Sequence, residues 1–249
     1  MMFKNAVWQA AGESHLGLTR RKNEDSFCLA FSPDGKILLA VVADGIGGHS
    51  RGEKASYICC RELVSAFLKE VSRREGTADR WRTFLSRELE RINGEIYIRN
   101  RANRALRPMG TTVNSCLFLE NEIIMANAGD SRLYEVNGAE EAVQLSTDHS
   151  FKAVSAEHAA RSMENVIYRA LGLHRNFEYD LESFSPRAGA RYLLCTDGMY
   201  RCMDAGKVGT VLREASSPQT ALNVFMRSAL VAGGRDNITG IAVFPKDGR

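Results

Sequence analysis

Apolar and polar positions change period several times along the chain, and each change predicts an element. Phe3 to Ala11, Asp25 to Phe31 and Ile37 to Ala43 are short β-like runs, the last two separated by the turn-forming Ser32-Pro33-Asp34-Gly35. They read as a meander. Ser50 with Glu53 three residues on forms a capping box, and Ala55, Ile58, Cys59, Leu63, Ala66, Phe67 and Val71 then recur at helical spacing. Gly76 to Asp79 interrupts this pattern, and Asp79 can cap a second helix with Trp81, Phe84, Leu85, Leu89, Ile92 and Ile96 on its apolar face.

From Thr111 the period returns to that of strands. Val113 to Leu119, Glu122 to Ala128 and Ser131 to Val136 are joined by tight turns at Glu120-Asn121 and Gly129-Asp130, and connections this short favour antiparallel pairing. A polar, helix-prone stretch from Phe151 to Arg169 follows, then strands at Phe177 to Ser183 and Arg191 to Thr196. Ser217-Pro218 starts a helix reaching about Ala232, and a last strand runs from Asn237 to Phe244. Strands grouped with paired helices, not alternating βαβ units, predict an antiparallel sandwich covered by helices. No internal repeat, low-complexity tract or Pro/Gly-rich linker is visible, so residues 1–249 are expected to form one domain, with Gly76 to Asp79 the weakest boundary candidate.

Composition narrows the class. A hydrophobic share of 44% suits a globular protein with a sizeable core. The charge balance is 33 basic against 30 acidic residues, a net +3, and the mild cluster Arg99, Arg101, Arg104 and Arg107 lacks interleaved aromatics. It reads as a solvated helix face, so nucleic acid is not an expected partner. The longest apolar run, Ile37 to Ala43, falls far short of the roughly 20 residues that span a bilayer. No membrane association is expected. Cys28, Cys59, Cys60, Cys116, Cys195 and Cys202 form no CxxC pair and no zinc-like spacing; buried reduced thiols and a cytoplasmic location are expected.

The candidate chemistry lies in six short signatures: Arg20-Arg21-Lys22-Asn23-Glu24-Asp25, Asp44-Gly45-Ile46-Gly47-Gly48-His49, Gly110-Thr111-Thr112, Gly129-Asp130-Ser131-Arg132, Thr196-Asp197-Gly198 and Gly234-Arg235-Asp236-Asn237-Ile238-Thr239. Asp44 ends one apolar strand, Asp197 follows another, Asp236 precedes the last and Asp25 starts a fourth. One strand-end Asp is ordinarily a turn residue, but four suggest a shared carboxylate cluster. Such charges repel unless cations neutralise them, and hard ions such as Mg²⁺ and Mn²⁺ take oxygen ligands. Glycine after Asp44 permits positive φ and lets a backbone carbonyl approach an ion closely.

With these motifs in this order from Arg20 to Thr239, the chain resembles the metal-dependent serine/threonine protein phosphatases of the type 2C family, in particular the compact bacterial catalytic domains. The resemblance implies an α+β, four-layer αββα sandwich: two antiparallel sheets flanked by helix pairs, with two Mn²⁺ or Mg²⁺ ions at one end. By match of motif, Asp44 bridges both ions, Gly45 offers its carbonyl to one, Asp197 and Asp236 bind the other, Asp25 acts mainly through a bound water, and Arg20, with Arg21 as the fallback, holds the substrate phosphate. It also implies phosphorylated proteins as substrates, opposing a serine/threonine kinase. A monomer is expected. Two metals can activate a water for in-line attack on phosphorus, so no covalent phosphoenzyme is needed.

Three departures from the family pattern stand out. In relatives, the Asp matching Asp130 helps hold a third, weaker ion together with an Asp four residues after the one matching Asp197; here that position is Arg201, which brings positive charge toward the proposed third ion and counts against a normal site. Ile46 stands where many eukaryotic members carry a histidine proposed as the acid for the leaving alkoxide, and Ile cannot donate a proton. The flap between Asp148-His149-Ser150 and Arg169-Ala170-Leu171-Gly172 looks short, which bears on substrate range. His49 and His149 read as structural, His15, His158 and His174 more so.

Cys195 to Arg201 formally fits the CxxxxxR pattern of cysteine-dependent phosphatases, but Asp197 would put negative charge in a loop meant for a dianion. A buried strand cysteine is the expected account. A phosphate-binding module without turnover is disfavoured by the presence of all the acidic candidates, and a metal-dependent nuclease by the lack of a basic, aromatic-rich surface.

Overall fold

A computed structural model describes residues 7–47, 51–72, 78–103, 108–139, 141–150 and 166–246. The expectations placed on His49, Ser50, Gly76, Arg104, Arg107, His158 and most of the flap lie outside the described residues.

Two antiparallel sheets are stacked face to face. The five-stranded sheet has the order β1 (Trp8–His15), β11 (Ile238–Pro245), β10 (Arg191–Cys195), β7 (Arg132–Val136), β8 (Val143–Gln144). The other runs β2 (Asp25–Phe31), β3 (Leu38–Ile46), β5 (Val113–Phe118), β6 (Ile123–Ala128), β9 (Asp180–Phe184), with the short β4 (Gly110–Thr111) paired to the end of β3. α1 (Gly52–Glu70) and α2 (Ala78–Ala102) cover the second sheet; α3 (Asp197–Tyr200), α4 (Ala205–Glu214) and α5 (Pro218–Val231) cover the first. The result is the expected αββα sandwich.

Strand periodicity explains the layering, because alternate side chains enter different layers. In β3, Leu39, Val41 and Ala43 meet α1 and α2, while Leu38, Ala40 and Val42 fill the space between sheets. In β10, Leu193 and Cys195 face the α3–α5 layer, whereas Tyr192 and Leu194 point inward. Both faces are therefore dry, which is why these strands read as unbroken apolar runs. Trp8, Phe118 and Tyr192 meet edge to face between the sheets at 5.4 to 6.0 Å, and the Trp8 indole N–H donates to the Leu119 carbonyl across the gap.

Several boundaries differ from expectation. The first strand, Trp8–His15, continues past Ala11 because its whole length pairs with β11; the Phe3 to Ala6 part of the expectation lies outside the described residues. β3 does not stop at Ala43; it continues through Asp44, Gly45 and Ile46, since Gly45 and Ile46 pair with Thr111 and Gly110. β9 begins at Asp180, later than Phe177, where pairing with Asn127 begins. α4, unforeseen in the sequence, is capped by the Asp204 side chain, which accepts from Lys207 N at 2.7 Å. The N-cap of α1 is Arg51 in the left-handed region, φ 80°, with no side-chain cap.

All six cysteines are free thiols, four of them buried. No helix among the described residues is long and apolar enough to cross a membrane. Arg99 pairs with Glu95 on exposed α2, in keeping with a solvated face.

Candidate active site

Asp25 opens β2 and lies opposite Asp44 in the antiparallel register with β3. Asp197 heads α3 immediately after β10, and Asp236 precedes β11. Asp44 feels the charges of Asp25, Asp197, Asp130 and Asp236. The structure thus brings together the four acidic residues singled out in the sequence, with Gly45 adjoining them and Asp130 beside them.

Gly-Thr-Thr and Gly-Asp-Ser-Arg, motifs to which the sequence assigned no support role, hold the Asp44 backbone. Asp44 N donates to Thr112 Oγ1 at 2.8 Å. Its carbonyl accepts from Thr112 N at 2.8 Å and Thr111 Oγ1 at 2.9 Å. Thr112 Oγ1 is in turn bonded to Ser131 Oγ at 2.8 Å. Gly45 is required for space rather than for positive φ: a β-carbon there would lie 2.4 Å from the Gly52 carbonyl and 2.6 Å from Glu24 O.

Asn237 ties the Arg20–Asp25 segment to the start of β11. Its Oδ1 accepts from Glu24 N at 2.8 Å, and its Nδ2 donates to Leu16 O and Lys22 O at 2.9 Å each. Asn23 Oδ1 accepts from Asp25 N, and Thr196 Oγ1 donates to Asp25 Oδ2 at 2.8 Å. Arg20 lies on the cluster, with Nη2 2.8 Å from Asp236 Oδ2, and is about half exposed. Ile46 is partly buried beside Gly110.

Electrostatics marks the cluster as short of positive charge. Burial, chiefly, pushes the Asp25 carboxyl from its ordinary 3.8 to about 7, with Asp197 and Asp236 adding repulsion while the nearby Thr239 hydroxyl and the bond from Thr196 oppose the rise. Asp197 rises to about 6, again through burial first, with Arg201 opposing and Asp130 and Asp236 reinforcing the rise. Asp44 is raised by burial and by all its acidic neighbours. Asp25 Oδ1 and Asp197 Oδ1 are buried without a hydrogen-bond partner. Unpaired buried anionic oxygens are costly, and hard cations are the partners their chemistry fits. Among the described residues no three His, Cys, Asp or Glu side chains form a ready cage for a single ion. Water and backbone oxygen must complete any coordination, as is usual for Mg²⁺.

The other candidates are structural or inert. His149 is buried, its Nδ1 accepting from Gly129 N at 3.3 Å and its Nε2 3.0 Å from Asp180 Oδ2. His15 Nδ1 accepts from Gly17 N at 2.9 Å. The Cys195 thiol is fully buried, and burial drives it far above its ordinary pKa, which removes the thiolate a nucleophile requires. The two ends of the flap are bridged to each other at Ser150 and Ile167, and Leu171 pairs with Thr111 of β4.

Comparison with known proteins follows this geometry. A family model described as Protein phosphatase 2C matches residues 11–228. The serine/threonine phosphatase stp of Listeria innocua is 30% identical over 91% of this chain and 92% of its own. Similar solved structures include PppA, described as a key regulatory component of T6SS in Pseudomonas aeruginosa (TM-score 0.82, 27% identity, 97% of this chain and 99% of that one). Another is the catalytic domain of serine/threonine protein phosphatase PstP in complex with two manganese ions (TM-score 0.81, 29% identity, 97% and 99%).

Proposed function

Because the chain belongs to the protein phosphatase 2C family, we propose that its carboxylate cluster is the centre at which phosphoserine and phosphothreonine of proteins are hydrolysed with two Mn²⁺ or Mg²⁺ ions. One observation carries this reading: Asp25, Asp44, Asp197 and Asp236 share one cluster, in which Asp25 and Asp197 are buried and each keeps a carboxylate oxygen without any partner.

Asp44 would hold both ions, Gly45 would give its carbonyl to one, Asp197 and Asp236 would bind the other, and Asp25 would act through water. When bound, the ions supply Lewis acidity and a water acidic enough to attack phosphorus at neutral pH. The remaining work falls to the protein. Thr111, Thr112 and Ser131 fix the Asp44 backbone, and the Thr196 hydroxyl holds one oxygen of Asp25, leaving the other without a protein partner. Arg20, now on Asp236, carries donors suited to phosphoryl oxygens on a half-exposed side chain that a substrate can reach. Ile46 has no proton to give, so the leaving alkoxide takes its proton from water or another group.

Residues 1–249 act in this reading as one cytoplasmic, monomeric catalytic domain, and the substrates are phosphoproteins made by a serine/threonine kinase. A phosphothreonine-peptide assay with Mn²⁺, Mg²⁺ or chelator tests it, comparing the native chain with Asp44→Asn and Asp236→Asn. Activity that needs metal in the native chain and falls at least about a hundredfold in both variants is expected. Undiminished activity in the variants would reject the site.

A further inference from the structure

Arg201 lies at the exit of the one-turn helix α3, and its backbone N donates to Asp197 O at 3.0 Å. That i, i+4 relation puts both side chains on one face. Arg201 Nη2 sits 2.9 Å from Asp197 Oδ2 and 3.8 Å from Asp130 Oδ2. Asp130 and Asp197 are only 4% and 9% exposed, so two like charges face each other with little water to screen them.

The contact is backed by a wider frame. Tyr200 OH lies 3.5 Å from Asp130 Oδ2. The Arg132 guanidinium covers the Tyr200 ring at 3.7 Å and is itself clamped on Asp148 by bonds of 3.0 and 2.7 Å. Asp130 is therefore held facing Arg201, and Arg201 takes one oxygen of Asp197 while the other, Oδ1, has no partner.

We infer that Arg201 is a tethered cation between Asp130 and Asp197 that works as a positioning residue, reserving Asp197 Oδ1 for the metal and excluding a divalent ion from Asp130. This rests on the reading of Asp197 as a metal ligand. Part of the positive charge the centre needs is thereby built into the chain, so the Asp130 side stays balanced when metal is scarce.

The test counts Mn²⁺ bound per chain, by electron paramagnetic resonance of free ion during titration, and measures melting in chelator, for the native chain, Arg201→Ala, Arg201→Lys and Arg201→Ala with Asp130→Asn. Two ions are expected for the native chain and for Arg201→Lys. Arg201→Ala is expected to melt lower without metal, to recover in Mn²⁺, and to take up one additional, weaker ion that the double variant loses. Native and Arg201→Ala chains that bind equal numbers of ions with equal affinity and melt alike in chelator would overturn the role of Arg201. A native chain that binds no Mn²⁺ at all would instead overturn the underlying reading of Asp197.

Discussion

The backbone of Gly198 presses so closely on Asn237 that a β-carbon at 198 would lie 1.9 Å from the Asn237 carbonyl oxygen and 3.2 Å from Asp236 Cβ. This approach sets the spacing between Asp197 and Asp236, which lie 39 residues apart in the sequence. Gly198→Ala must push the two segments apart. Overpacking of this kind costs about 1–3 kcal/mol, roughly 2 to 12 °C in a chain of this size. Calorimetry should show that loss together with a weakened response to Mn²⁺; an unchanged Tm with full activity would contradict the role given to this contact.

Thr112 presents a different kind of dependence. Thr112→Val keeps the shape but removes the acceptor for Asp44 N and the link to Ser131, leaving a buried donor unmet at about 1–3 kcal/mol. The Mn²⁺ concentration for half-maximal activity is expected to rise, while Thr112→Ser, which retains the hydroxyl, should stay near the native value.

Arg20 touches the cluster through Asp236 from a half-exposed position, so removing it should spare stability and harm catalysis. For Arg20→Ala, kcat/KM on a small aryl phosphate is expected to fall about tenfold or more, the range of a charge-assisted hydrogen bond. Arg21→Ala serves as the neighbour control, with kinetics near native. Equal losses in the two variants would point to general positive charge instead of a phosphate contact.

Stability against pH follows from the sign of the carboxylate shifts. Asp25 is raised from 3.8 to about 7 and Asp197 from 3.8 to about 6, so between these limits the folded state holds protons that the unfolded chain has released. Stability in chelator must then fall as pH rises from about 4 to about 7. Asp25→Asn should flatten that slope. Cations bind the deprotonated form, so saturating Mn²⁺ should raise Tm more at pH 7.5 than at pH 5. A metal-free Tm that climbs across this window equally in the native chain and in Asp25→Asn would count against the cluster as its source.

Much of this was readable before any coordinates, for reasons that differ by element. β2 spans Asp25–Phe31 as its pattern indicates, and the Ser217 cap of α5 stands because the bond from Thr220 N is made within three residues. Local chemistry leaves local marks. The apolar pattern ends β3 at Ala43, because its continuation depends on Gly110 and Thr111, far away in the chain. α4 leaves little trace in the pattern because Gly206 and Gly209 dilute a short apolar face of Val208 and Leu212. The acidic residues stood out as strand-end carboxylates, whereas Thr112, Thr196 and Asn237 did not. Their work is hydrogen bonding to distant segments, so although all three stand inside the six signatures, nothing local in the sequence marks which partner each will hold.

Asp25 and Asp44 ride on one sheet, while Asp197 and Asp236 flank strands of the other. Neither layer alone carries the whole set, so the interior that glues the layers also serves as the gauge for the distance between the proposed metal ligands. A chain with each sheet formed but not yet docked would be catalytically blank. Uptake of ions should accordingly coincide with the final closing of the two halves, and any substitution that lets one layer slide past the other would silence the enzyme without touching a single acidic residue.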